Sequence, residues 1–270
     1  MAEVGNIRTL TANPPVLSVH ARPCAAHYEE RGGEPDACRH ASSEEPEPRP
    51  SPPVPSPDCP TMSSAMPAPS RTPPPPLDVR PVLPVVLENA VVRLEPLEER
   101  HRSALLALGE DERVWGIVQL PAGGLPAYLD IAYALSAPNV HVPFVVVRRS
   151  DDAVIGMSRM FDIRPEHGAL EIGYTWYAPE AHGTLINPAA KRLLLGYAFD
   201  LGFERVQLKT DLRNKQSQAA MTKLGATREG VLRHQLRLPD GRWRDSVFFS
   251  ILAEEWPAVR ERLDARLAGG

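Results

Sequence analysis

The 270-residue sequence is short of several things, and unevenly so. Only three cysteines occur, Cys24, Cys38 and Cys59, all ahead of residue 84. Whatever folds after that point has neither a disulfide framework nor a nucleophilic thiol. Aromatic residues are as scarce in the leading stretch: of 16 Phe, Trp and Tyr, only Tyr28 precedes residue 85, and lysine is missing there altogether. Proline is the reverse, with 20 of its 30 copies in residues 1–84. A segment so rich in proline and so poor in aromatics cannot bury enough apolar surface to offset the entropy of ordering its backbone. Residues 1–84 therefore read as a disordered Pro-rich tail and residues 85–270 as one globular domain.

Long apolar runs are also lacking. None approaches the ~20 residues of a membrane-spanning helix, and Met1–Gly5 has neither a basic nor an apolar leader region. The expectation is a soluble, cytoplasmic protein with no membrane partner. Residues 85–270 carry 23 Lys and Arg against 24 Asp and Glu. With no net field to attract a phosphate backbone, a nucleic-acid partner is disfavoured.

Within the tail, Glu45–Pro50 and Pro73–Pro76 favour extended polyproline II spacers, which could also dock a PxxP-reading domain. Met62 and Met66 admit a shorter translated product. Cys24, His27, Cys38 and His40 could be drawn as a zinc site, but the Cys-x-His end is tighter than zinc ligands are spaced. With His141, His167 and His234 scattered along the chain, no metal is expected.

The domain alternates in pattern. Val91–Leu94 reads as a strand closed by Pro96, and Leu97–Leu108 and Leu125–Leu135 have helical spacing. Phe144–Arg149 and Val154–Ile163 form a hairpin across Ser150–Ala153, and Leu170–Tyr177 is a third aromatic and β-branched run. Asn187 as cap and Pro188 at the first position announce a helix over Ala189–Leu201, stopped by Gly202. Val206–Lys209 is a strand and Asn214–Leu224 a helix. Val231–Leu238 and Trp243–Leu252 pair across Pro239–Gly241, and Ala253–Leu267 is a last helix. The order implies an α/β domain with a mixed, mostly antiparallel sheet flanked by helices.

Chemistry concentrates where Leu170–Tyr177 passes into the Pro188 helix. Free N–H groups and the macrodipole at that helix start suit a phosphate, though an ordinary connecting loop would look similar. Glu171 is a carboxylate in an otherwise apolar strand. Burial there raises its pKa toward the range of a useful base, unless a neighbouring arginine pairs with it. Asn214 and Ser217 share one helical face, as either capping or active-site use requires.

Three segments carry a resemblance: Glu171–Trp176, His182–Lys191 and Lys209–Ala226. Together they resemble the GNAT acyltransferase superfamily, and among its branches the RimJ/RimL-like N-acetyltransferases. The likeness extends over nearly all of residues 85–270, through Arg228–Arg233 and Pro239–Gly241. It implies the GNAT fold, acetyl-CoA as acyl donor without a metal, and a primary amine as acceptor, on a protein N-terminus or a small molecule. It also admits a homodimer. The family's pyrophosphate loop falls on His182, Gly183, Thr184, Leu185, Ile186 and Asn187. His182 stands in place of Gln or Arg, and Leu185 in place of a glycine whose freedom of φ a Cβ restricts. The pantetheine arm would pair with the strand ending at Trp176 and Tyr177, and Asn214 matches the asparagine beside the thioester. Ser217 matches the proton donor to the leaving thiolate; Met221 occupies the position where many relatives have tyrosine.

The implied reaction is direct transfer. Glu171, through water, deprotonates the acceptor; a backbone N–H near Thr175 or Trp176 holds the oxyanion; Ser217 or water protonates the sulfur. Trp115 lines the acceptor pocket by the same resemblance, or is a core residue. The alternative to an enzyme is a noncatalytic acyl-CoA-binding regulator, motivated by Leu185 and Met221, or a scaffold acting through the tail.

Overall fold

The structure is a computed structural model that describes residues 77–269 apart from Ile117 and Gln119. The polyproline segments, the Cys24–His27–Cys38–His40 arrangement and Cys59 lie outside the described residues. Eight strands form one sheet: β1 (Leu87–Glu88), β2 (Val92–Pro96), β3 (His141–Arg148), β4 (Val154–Arg164), β5 (Ala169–Tyr177), β6 (Arg205–Asp211), β7 (Thr227–Arg237) and β8 (Trp243–Leu252). Five helices accompany them: α1 (Arg102–Leu108), α2 (Gly124–Leu135), α3 (Ile186–Asp200), α4 (Lys215–Leu224) and α5 (Trp256–Ala268). The spatial order is β1-β2-β3-β4-β5-β6-β8-β7. Every neighbouring pair is antiparallel except β5 with β6, the one pair joined by a helical crossover, α3.

Burial on both faces explains why the central strands read as nearly continuous apolar runs. One face carries α3 and α5, where Leu194, Leu195, Ala198, Trp256 and Val259 pack on Phe144, Met160, Ile172, Leu208 and Phe249. On the other, Leu105 of α1 and Leu125 and Leu129 of α2 pack on Val145, Met157 and Trp176.

Three expectations need correction. The helix drawn over Leu97–Leu108 begins only at Arg102, after a 3-10 turn at Glu99–His101 in which the His101 Nδ1 accepts the Glu98 N–H at 3.1 Å. Helix α3 starts at Ile186 behind Leu185, so Asn187 is not its cap. Pro188 still costs no ladder bond, because the first-turn N–H groups have no helical acceptor. Burying Ile186 draws the start forward, and the Asn187 side chain instead accepts the Tyr177 hydroxyl at 3.3 Å. Finally, the packed chain reaches back at least to Leu77 rather than starting after residue 84. Val82 is fully buried, its carbonyl accepts the Asn139 N–H at 2.9 Å, and the Arg80 N–H reaches the Leu201 carbonyl at 2.8 Å. Gly202 ends α3 as expected, at φ +91°, and a Cβ there would run into the Asp78 carbonyl.

Candidate functional site

The parallel pair defines a cleft. Strands β5 and β6 are in register at Ala169↔Arg205, Leu170↔Val206 and Glu171↔Gln207, and then part. Beyond that point β5 keeps only β4 as neighbour and β6 only β8. Their facing edges, from Ile172 and from Leu208 onward, present backbone N–H and C=O groups with no strand between them, which an extended chain of amides could pair with. A bulge accompanies the parting. The β4–β5 ladder steps from Arg159↔Gly173 to Met157↔Trp176, so Tyr174 and Thr175 oppose Ser158 alone, and Tyr174 takes φ +50°. Side chains hold the bulge from the α3 side. Thr175 Oγ1 lies 2.7 Å from Ser158 Oγ and accepts Lys191 Nζ at 2.8 Å. Lys191 is buried, which pulls its ammonium down to about 7.

Both strands of the pair run into helices at the mouth of the cleft. Ahead of α3, His182, Gly183 and Thr184 are exposed and Gly183 takes φ +78°. Thr184 Oγ1 donates to the Ala181 carbonyl at 2.7 Å and accepts the Ile186 N–H at 3.3 Å. Among the described residues the N–H groups of Gly183, Leu185 and Asn187 have no acceptor, which with the helix dipole makes a cradle for an anion. Leu185 sits in right-handed backbone at φ −75°, so its Cβ causes none of the strain a positive φ would impose. At the start of α4, Asn214 Oδ1 accepts the Ser217 N–H at 2.9 Å, the capping role that was one of its two readings. The Ser217 hydroxyl has no partner among the described residues, and Met221 packs against the core.

Glu171 lies where the strands part, on the face covered by α1 and α2, and is 1% exposed. Its Oε2 accepts Gln207 Nε2 and Lys209 Nζ, each at 2.9 Å. The pairing reading thus holds, with a lysine in place of the arginine. Oε1 has no partner among the described residues and lies over Gly173, whose missing side chain leaves it open. Burial pushes the Glu171 carboxyl above its ordinary value, and Lys209 and Gln207 pull it back. Trp115 packs against the core beneath α1 and α2. Its Nε1 donates to the Gly109 carbonyl at 2.8 Å, and its ring stands 5.0 Å from Trp176 and 5.8 Å from Tyr128. The Trp176 and Tyr177 side chains are buried, leaving their backbone to face the cleft.

Sequence reasoning assigned no site role to several residues of this face: Tyr128, His141, Arg159, Tyr174, Lys209 and Arg244. Phe161 lies between His141, tilted at 5.6 Å, and Tyr174, edge-on at 4.9 Å. Burial, with the Arg159 charge beside it, lowers the His141 imidazole to about 4. Arg244 interacts with Asp211 and Glu171. A signal for Arg159 existed, since it is a cation at an interior position of a mostly apolar strand, whereas Lys209 shares β6 with Arg205, Gln207 and Asp211 and does not stand out. Among the described residues no three His, Cys, Asp or Glu side chains gather as a metal-binding group, and no helix is long and apolar enough to cross a membrane.

The acetyltransferase (GNAT) domain family matches residues 92–227. Among solved structures, a candidate acetyltransferase from T. thermophilus is 40% identical over 69% of this chain and 98% of its own, with a TM-score of 0.62. A GCN5-related N-acetyltransferase from Brucella melitensis is 28% identical over 70% and 88%, with a TM-score of 0.64. Mycobacterium smegmatis RimJ, solved in complex with CoA-disulfide, shares the fold at 24% identity over 69% and 94%, with a TM-score of 0.56. No curated protein matches the sequence.

Proposed function

The chain belongs to the GNAT acetyltransferase family, which transfers an acyl group from acetyl-CoA to an amine, and from this premise we propose the roles of its residues. The parting of β5 and β6 over Glu171 carries the proposal: one buried carboxylate lies beside two open strand edges and two helix starts. The acceptor is a primary amine, on a protein N-terminus or a small molecule, and the branch is RimJ/RimL-like, for which the fold shared with the M. smegmatis enzyme is support.

Acetyl-CoA supplies an activated thioester. Its pyrophosphate fits the N–H groups of Gly183, Leu185 and Asn187, with His182, Thr184 and Ile186 completing the loop. Its amide arm fits the open edge of β5 at Thr175, Trp176 and Tyr177, and the Asn214 amide nitrogen, left over from capping, is the donor assigned to it beside the thioester. Glu171 Oε1 takes the proton of the acceptor ammonium, directly or through water, while Lys209 and Gln207 hold Oε2. A backbone N–H of the bulge steadies the oxygen charge that develops. The freed amine attacks the thioester carbon and the carbon–sulfur bond breaks; Ser217 gives its hydroxyl proton to the departing sulfur and regains one from the nitrogen that attacked, a relay Met221 cannot perform. Trp115 closes the acceptor side.

The test is CoA release from acetyl-CoA with a panel of amines and N-terminal peptides. Glu171→Gln is expected to lower kcat by about 10²- to 10⁴-fold with the fold retained. Tight acetyl-CoA binding with no amine-dependent release from any acceptor would leave only the regulator reading.

A further inference from the structure

Arg159, in the middle of β4, is 1% exposed, and among the described residues no carboxylate lies within ion-pair distance of it. Its guanidinium lies between the rings of Tyr128, at 4.5 Å, and Tyr174, at 4.7 Å. Two ring faces offset only part of what removing a cation from water costs. The edge formed by Nε and Nη2 has no hydrogen-bond partner among the described residues. Elsewhere in the molecule this same edge clasps a carboxylate: Arg148 on Asp151 at 2.9 and 2.7 Å, Arg192 on Asp264 at 2.6 and 3.2 Å, and Arg213 on Asp211 at 3.0 and 2.7 Å. The other unpartnered buried atoms are nitrogens too. Arg164 Nε, Trp176 Nε1 and Arg244 Nε are N–H donors with no acceptor among the described residues, and His141 Nε2 is a further nitrogen without a partner there.

Register places Arg159 next to the reacting end. Arg159 pairs with Gly173, and Glu171 is two residues along on the same face. Such diagonal neighbours are ~7–8 Å apart, the span of a compact molecule with an amine at one end and a carboxylate at the other. Tyr174, half exposed, is the wall of the cage that meets solvent.

We propose that Arg159 clasps a carboxylate of the acceptor between Tyr128 and Tyr174, so that the acceptors of this transferase are amines that also carry a carboxylate. This rests on the transferase reading above, and its test separates the two. With the full chain, CoA release is measured for acceptor pairs that differ only as carboxylate and carboxamide: amino acids against their amides, and peptides with Asp or Glu in second position against Asn or Gln. The wild type is expected to prefer the carboxylate member by roughly 10²-fold in kcat/KM. Arg159→Gln should bring that ratio close to one by raising KM for the carboxylate member, and Arg159→Lys should keep part of it. Preference among amino acids or among peptides identifies which of them bears the group. Equal use of both members by the wild type, or an Arg159→Gln ratio equal to the wild type's, overturns the proposal while transfer itself stands. Thermal shift with the carboxylates alone, without acetyl-CoA, gives the second readout. A carboxylate-induced shift that Arg159→Gln abolishes supports the site even where no amine is acetylated, an outcome that would sink the transferase reading and not this one.

Discussion

At the residue scale two lysines, Lys209 partly buried and Lys191 buried, act in opposite directions. Lys209 lowers the Glu171 carboxyl toward its charged form. Replacing Lys209 with Met is expected to move the acid limb of the kcat/KM profile to higher pH, since the base works only when deprotonated. Lys191 has no counter-charge among the described residues and meets Thr175 and Ser158 instead. Its proton is lost near pH 7 in the folded chain against 10.5 in an ordinary lysine. Between those values the unfolded chain holds more protons, so this lysine makes stability rise with pH and level off above the upper value, by up to about 5 kcal/mol. Lys191→Met should flatten that slope in denaturant titrations across the alkaline range. Glu171 was legible from the sequence because a carboxylate stood alone in an apolar run. Its partner was not, because Lys209 lies across a parallel register that only the α3 crossover sets.

Helix α4 shows one side chain serving two purposes at the scale of an element. The Asn214 oxygen caps the helix, and its amide nitrogen is assigned above to the donor. Asn214→Asp keeps the capping oxygen and loses the N–H, so thermal stability should hold while KM for acetyl-CoA rises. Asn214→Ala loses both and should cost about 1 kcal/mol of stability as well. Steady-state kinetics beside thermal unfolding separates the two roles. Strand positions were read well where both faces are buried, as in β4, β5 and β8. The start of α3 was misjudged because capping rules describe a helix by itself, whereas burying Ile186 against the sheet draws the start two residues forward. The bulge at Tyr174 and Thr175 left no trace in the pattern, since its cause is Lys191, sixteen residues on.

Taken whole, the molecule divides differently from the proline count alone. Val82 contributes ~1.5–3 kcal/mol by its full burial, so a chain beginning at residue 85 should unfold at lower temperature than one beginning at residue 77. The longer of these should keep CoA release equal to the full chain's. Since Cys24, Cys38 and Cys59 are the only cysteines, release should also withstand thiol-blocking reagents. Proline could not mark this boundary, because Pro81 and Pro84 suit an extended segment laid on a core as well as an unpacked one. Leu77 lies against Gly168 and Asp78 against Gly202, at the beginnings of β5 and β6. The cleft opens at the other ends of those strands, about 30 Å away along the nine residues of β5. A purification handle or solid support joined just ahead of Leu77 would thus be fastened to the floor of the sheet, and the enzyme could be immobilised there with its donor entrance unobstructed.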